Sequence, residues 1–107
     1  MAFIAYDVSL DAIRCVRAVC DRIAMRDASL ADQLRRAAAS VPLNLAEARR
    51  RRGRDRTHLW RVAAGSAAEA RTALDVAVAL GYLDAADIAD AWAHLDRVLA
   101  LTWPLVR

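Results

Sequence analysis

Glycine and proline are scarce in this chain, with three and two among 107 residues. Few tight turns can be built from so little, so the elements must be few and long. Sustained period-2 alternation of β-branched residues is also missing, which argues against a sheet. Lysine is absent, and all 16 basic residues are arginine. With 26 alanines alongside, this matches GC-rich codon usage, and no mechanism is drawn from it. The longest uncharged run, Ala37 to Ala46, contains Ser40, Pro42 and Asn44 and is far short of the ~20 apolar residues a membrane span needs. The start of the chain lacks a basic region followed by an apolar stretch, so no signal peptide and no membrane partner are expected. There are two cysteines, Cys15 and Cys20. Five residues turn a helix by about 500°, which sets the two thiols on different faces, where they cannot pair. Free thiols suit a cytoplasmic protein.

Catalytic signatures are missing as well. There is no Gly-rich phosphate loop, no serine elbow and no His-Glu helix motif. His58 and His94 fall on different predicted helices, and neither has a second ligand at i+4. We therefore expect no metal, no cofactor and no enzyme activity.

What is present is helical. Alanine favours helix and buries little area. Without it, the large apolar set is mainly Leu and Val with three Trp. A monomer would bury a thin core, which points to a homo-oligomer whose alanine faces let helices approach closely. We expect roughly three quarters of the residues or more in helices, well above the usual third.

The periodicity predicts four helices in a single domain over residues 1–107. The first runs from Val8 to Arg26 on a stripe of Tyr6, Leu10, Ile13, Val16, Cys20 and Ile23. The second starts near Ser29, with Ser29 and Asp32 resembling a capping box. It carries Leu30, Leu34, Ala37, Ala38, Val41 and Leu45. Pro42 lies inside this pattern, which predicts a kink in a continuous helix; the alternative is a break into two helices. Gly53 marks the next turn, and Asp55 reads as the N-cap of helix 3, which runs to Leu80. Helix 3 has two apolar stripes. One is Leu59, Val62, Ser66, Ala73, Val76 and Leu80. The other is Trp60, Ala63, Ala67, Ala70, Leu74 and Ala77. A helix apolar on two sides is buried on two sides, with one side facing a neighbouring subunit. Gly81 serves as C-cap. Asp84 caps helix 4, whose face holds Ile88, Trp92, Leu95, Leu99 and Thr102 and which Pro104 ends. The expected fold is an all-α, antiparallel up-down four-helix bundle with a second helix kinked at Pro42.

Two polar groupings could carry function. Arg36, Ser40, Asn44 and Glu47 share one face of helix 2, and helix 3 offers Ser66 and Glu69. These six could form a ligand pocket. The better reading is a structural polar network, with Glu69 held by Arg36 and with Ser40 or Asn44 taking up carbonyls freed by Pro42. No nucleophile–base pair accompanies it. The second grouping is residues 49–56, which hold six arginines and one Asp for a net +5. The rest of the chain has 10 Arg against 12 acids, a net −2. Arg49, Arg50, Arg51, Arg52, Arg54 and Arg56 suit phosphate contacts of RNA or DNA. The plain alternative is a solvated turn that keeps the protein soluble. In a ring of subunits the segments would gather into one positive surface, which favours nucleic-acid binding. Trp60, Trp92 and Trp103 could stack on bases, but at helical spacing they read as core or interface.

Two stretches resemble a known family. They are Gln33-Leu-Arg-Arg-Ala-Ala-Ala-Ser-Val-Pro-Leu-Asn-Leu-Ala-Glu47, and Ala64-Gly-Ser-Ala-Ala-Glu69 followed by Leu80-Gly-Tyr-Leu83. They look like the four-helix bundle proteins encoded in intervening sequences of bacterial 23S rRNA genes. The resemblance runs from about residue 6 to 103. It implies a homopentameric barrel with Pro42 inside a helix. A more distant relative, the accessory variability protein of diversity-generating retroelements, implies nucleic-acid binding and a partner protein such as a reverse transcriptase. The sequence departs from the family pattern at Ala48, where a glycine is usual, and in lacking a Trp near the start of helix 1. The expected function is thus a non-enzymatic, oligomeric nucleic-acid-binding module, the alternative being a protein–protein scaffold or adaptor.

Overall fold

The computed structural model describes residues 2–106 and consists of four helices: α1 (Ala2–Ala24), α2 (Ala28–Ala48), α3 (Gly53–Ala79) and α4 (Ala85–Val106). Each helix packs on two neighbours, α1 on α2 and α4, and α3 on α2 and α4. Paired residue numbers rise along one helix as they fall along the next. Cys20 meets Ala31 between α1 and α2. Ser40 meets Ser66 between α2 and α3, and Arg71 meets Asp96 between α3 and α4. Arg22 meets Asp87 across α1 and α4. The bundle measures 43 × 22 × 21 Å.

The buried side chains form two clusters stacked along the bundle. The larger includes Val16, Ile23, Leu34, Leu74 and Leu95. The smaller includes Ala5, Val8, Val41, Leu45, Ala63, Ala67 and Val98. Many of the closest contacts are alanines, so the helices meet with little side-chain volume between them. On α3 the stripe Ala63, Ala67, Ala70, Leu74 and Ala77 is wholly buried in its own bundle. The Leu59 stripe is divided: Ala73 is buried in the core, Leu59, Val62 and Ser66 are half-buried, and Val76 and Leu80 are exposed.

The ends of the helices depart from the sequence expectation. α1 begins at Ala2, six residues before Val8. Ser9 does not interrupt it: its Oγ donates to Tyr6 O at 2.6 Å, so the hydroxyl is satisfied inside the helix. The buried stripe of α1 is also rotated. Ala5, Val8, Ser9, Ala12, Val16, Val19, Cys20 and Ile23 face inward, while Tyr6, Leu10 and Ile13 are half-buried.

The cap of α2 is Asp27, not Ser29: Asp27 Oδ1 accepts from the Leu30 N–H at 3.0 Å. Its other oxygen, Oδ2, accepts from Tyr82 Oη at 3.0 Å, which ties the α3–α4 connection to the start of α2. Pro42 lies inside an unbroken α2, so the two-helix alternative does not hold. At α3 the N-cap is Arg52, extended and without a side-chain cap bond, and Asp55 lies in the first turn instead. An acid there still complements the helix dipole. Gly53 takes φ +58, the left-handed conformation that lets the chain leave the turn and enter α3. Leu80 is the C-cap of α3, and Gly81 follows at φ +78. The N–H of Tyr82 donates to Ala77 O and that of Gly81 to Val78 O, the paired bonds of a Schellman ending. At α4, Asp87 Oδ2 accepts from the Asp84 N–H at 2.9 Å. Pro104 does not end α4, which continues to the buried Val106. In the last turn its missing N–H costs a single bond, and the burial of Val106 offsets that loss.

Candidate nucleic-acid interface

The antiparallel register gathers the start of α1, the α2–α3 turn and the end of α4 at one end of the bundle. The turn is held by its own residues. Backbone N–H groups of Arg50 and Arg51 donate to Glu47 O and Ala48 O. Arg56 reaches back from α3, its Nε donating to Ala48 O at 3.2 Å and Arg51 O at 2.8 Å. Ala48 O, at the end of α2, thus accepts from both the Arg51 N–H and Arg56, Arg51 O belongs to the turn itself, and a cation suits that end of the helix dipole. Ala48 is fully buried inside α2, and the left-handed residue of this turn is Gly53.

The six arginines divide into two groups. Arg49, Arg51 and Arg56 are engaged. The Arg49 guanidinium lies 3.8 Å from the Phe3 ring centroid. Arg51 pairs with Glu47 at 3.0 Å. Arg56 is fixed through Nε and stands 5.8 Å from the Trp60 ring. Arg50, Arg52 and Arg54 are exposed and have no ion pair or side-chain hydrogen bond among the described residues. Arg61 adds a cation on α3, with Nη2 donating to Val106 O at 3.4 Å. The opposite end carries Asp27, Asp84 and Asp87 together with Arg22 and Arg26, so it has no basic excess like that of the turn.

The six-residue polar network is not assembled as expected. Ser40, Asn44 and Ser66 do meet: Asn44 Nδ2 donates to Ser40 O and Oγ at 2.8 and 2.9 Å, and Ser66 Oγ donates to Ser40 Oγ at 2.8 Å. Arg36 instead pairs with Asp32 at 3.1 Å, one turn back on its own helix. Glu47 pairs with Arg51. Glu69 is exposed beside a groove with Leu30, Gln33 and Val76, and forms no pair with Arg36. Arg36 and Glu69 both point to solvent, where a pair within one helix costs less side-chain ordering than one between helices.

One contact escaped the sequence reading. Cys15 Sγ lies 3.8 Å from His94 Nδ1. The same nitrogen is 2.7 Å from Asp90 O, a carbonyl, so it carries the proton and donates there. It therefore cannot take the thiol proton. Burial first, then Asp90 and Asp11, push the Cys15 thiol up from its ordinary value. This pair is not an activated nucleophile. No three metal-ligating side chains converge among the described residues.

Phe3 and Trp60 also belong to the basic end; the sequence sets Trp60 just after the arginine run, where helical spacing reads it as core or interface, and gives no sign of Phe3. Trp60 at i+4 from Arg56 was a usable signal. Phe3 lay outside the predicted first helix. Trp60 and Trp92 are half-buried against the core, whereas Trp103 is 58% exposed.

The profile of the family described as 23S rRNA-intervening sequence protein matches residues 5–103. A solved structure from Bacteroides thetaiotaomicron, a protein of unknown function from the S23 ribosomal protein family, superposes with a TM-score of 0.86. It is 16% identical, and the match covers 96% of this chain and 98% of that one. No curated protein matches.

Proposed function

Because the chain belongs to the family of 23S rRNA-intervening sequence proteins, we propose that it is a non-enzymatic, oligomeric module that binds RNA or DNA through its α2–α3 turn. The observation that carries this is the segregation of charge. The net +5 of residues 49–56 stands at one end of the bundle, against −2 for the rest. Guanidinium forks match phosphate, and half of these arginines are without protein partners. Assembly as a homopentamer would bring five such turns onto one face. The outward part of the Leu59 stripe on α3, with Val76 and Leu80 exposed, is the apolar surface that assembly would cover. A cytoplasmic role beside a reverse transcriptase or in another RNA process fits this reading.

Two measurements test it. The solution mass is expected near five times 11.7 kDa. Retention of RNA or DNA is expected to fall steeply with salt and to be lost when all six arginines become glutamine. Unchanged retention in that variant would overturn the assignment.

The adaptor reading has one observation in its favour. Trp103 is exposed above a groove between α3 and α4 with Ala64, Gly65, Ala68 and Leu99. A partner protein held there would bind independently of salt and be lost on Trp103→Ala.

A further inference from the structure

A cleft opens between the start of α1 and the α2–α3 turn, lined by Phe3, Ala48, Arg49, Arg56 and Trp60. Its volume is about 240 Å³. That is below the ~300–1,000 Å³ of pockets for drug-sized ligands, so it suits one planar fragment. We propose that this cleft takes one unpaired nucleotide of the bound nucleic acid, with its base against the aromatic rings and its phosphate on the two guanidiniums. The proposal rests on the nucleic-acid reading above and adds what that reading leaves open, namely which form of nucleic acid is chosen.

Three features support it. Two cations and two aromatic rings line one small cleft, and phosphate contacts alone need no rings. The guanidiniums are set in advance. Arg56 is held through Nε by two carbonyls, which leaves its terminal amino groups unpaired among the described residues. Arg49 is stacked on Phe3 at 3.8 Å, and Phe3 remains 58% exposed, so its ring still offers contact area. Finally, Trp60 is half-buried at the wall of the cleft with the Arg56 guanidinium 5.8 Å from its ring, so a ring and a cation stand side by side there.

A duplex cannot present a base edge-free to such a cleft, whereas a single strand, bulge or loop can. The test uses the full chain with three labelled ligands: a single strand, the same strand with abasic sites, and a duplex of equal phosphate count. Each is measured by anisotropy at one salt concentration, as RNA and as DNA. The base-bearing strand is expected to bind about tenfold or more tighter than the abasic strand. Phe3→Ala, at an exposed position, is expected to remove most of that gap. In a Trp92→Phe/Trp103→Phe background, Trp60 emission is expected to respond to the base-bearing strand and not to the abasic one. Equal binding of the two single strands, or a gap that survives Phe3→Ala, would overturn the cleft. If binding is then still lost in the six-arginine variant, the basic turn stands without the cleft. If no strand is retained even at low salt, both readings fall.

Discussion

The division of the six arginines into free and engaged groups makes a quantitative prediction. Consider Arg50→Gln/Arg52→Gln/Arg54→Gln against Arg49→Gln/Arg51→Gln/Arg56→Gln. Both triples remove the same formal charge. Counterion release lowers log K by about 0.9 for each tenfold rise in salt per neutralised duplex phosphate, and about 0.7 for single strands. Three free arginines that each hold a phosphate thus account for a slope of about 2 to 3 per engaged subunit. At physiological salt the same relation gives a loss of about 10²-fold in affinity when they are removed. The engaged triple should change the slope less, by about the one phosphate that Arg49 and Arg56 share in the cleft, because Arg51 is already paired with Glu47 and Arg56 spends its Nε on the Ala48 and Arg51 carbonyls. Its cost should appear as altered stability of the turn. The assay is binding by anisotropy across a salt series, with helicity and solution mass checked for each variant. Equal slope changes for the two triples would refute the division. A free triple that leaves the slope unchanged would remove the turn from the interface.

Other outcomes follow from single contacts. Asp27→Ala should destabilise the fold by about 1 kcal/mol through loss of the α2 cap, read by urea unfolding at one fixed protein concentration. The same carboxylate accepts from Tyr82 Oη, so Asp27→Ala and Tyr82→Phe should combine less than additively; strict additivity would show that the bond contributes nothing. The Asp87 carboxyl is held below its usual value, first by the Asp84 N–H and then by Arg22. Its folded pKa is depressed, so its contribution is present above about pH 4 and is lost as pH falls through the lowered value. The stability difference between wild type and Asp87→Asn should therefore narrow in acid. Burial raises both thiols, so Cys15 should alkylate more slowly than a free thiol at neutral pH and Cys20 only on unfolding, as followed by mass spectrometry.

How much could be read ahead differs from element to element. The buried line of α2, Leu30 to Leu45, was plain because Leu30, Leu34, Val41 and Leu45, with Ala37 and Ala38 between them, recur at helical spacing. The buried line of α1 was legible only in its second half, at Val16, Cys20 and Ile23; in the first half Ala5, Ser9 and Ala12 carry little hydrophobic signal. Caps were misplaced where two candidates lay close together. Asp27 and Ser29 are similar cap residues by type, and the contact of Asp27 with Tyr82, 55 positions away, is one that spacing along the chain does not reveal. The polar seam was half legible: spacing put Ser40 and Asn44 on one face, but spacing within a helix cannot say that Arg36 prefers Asp32 to Glu69.

The sequence by itself determined the class of structure. Scarce glycine and proline, abundant alanine and a recurring period near 3.6 leave long helices as the one arrangement that satisfies the backbone and hides the leucines. It also determined where the charge lies along the chain. The tertiary structure decided what that charge sits beside. Only the antiparallel packing brings Phe3 next to Arg49, from the far end of the first two helices, and sets Trp60 in the same cleft. It also decided which arginines are free, because ion pairs and stacking depend on distances of a few ångströms that no spacing along a chain encodes.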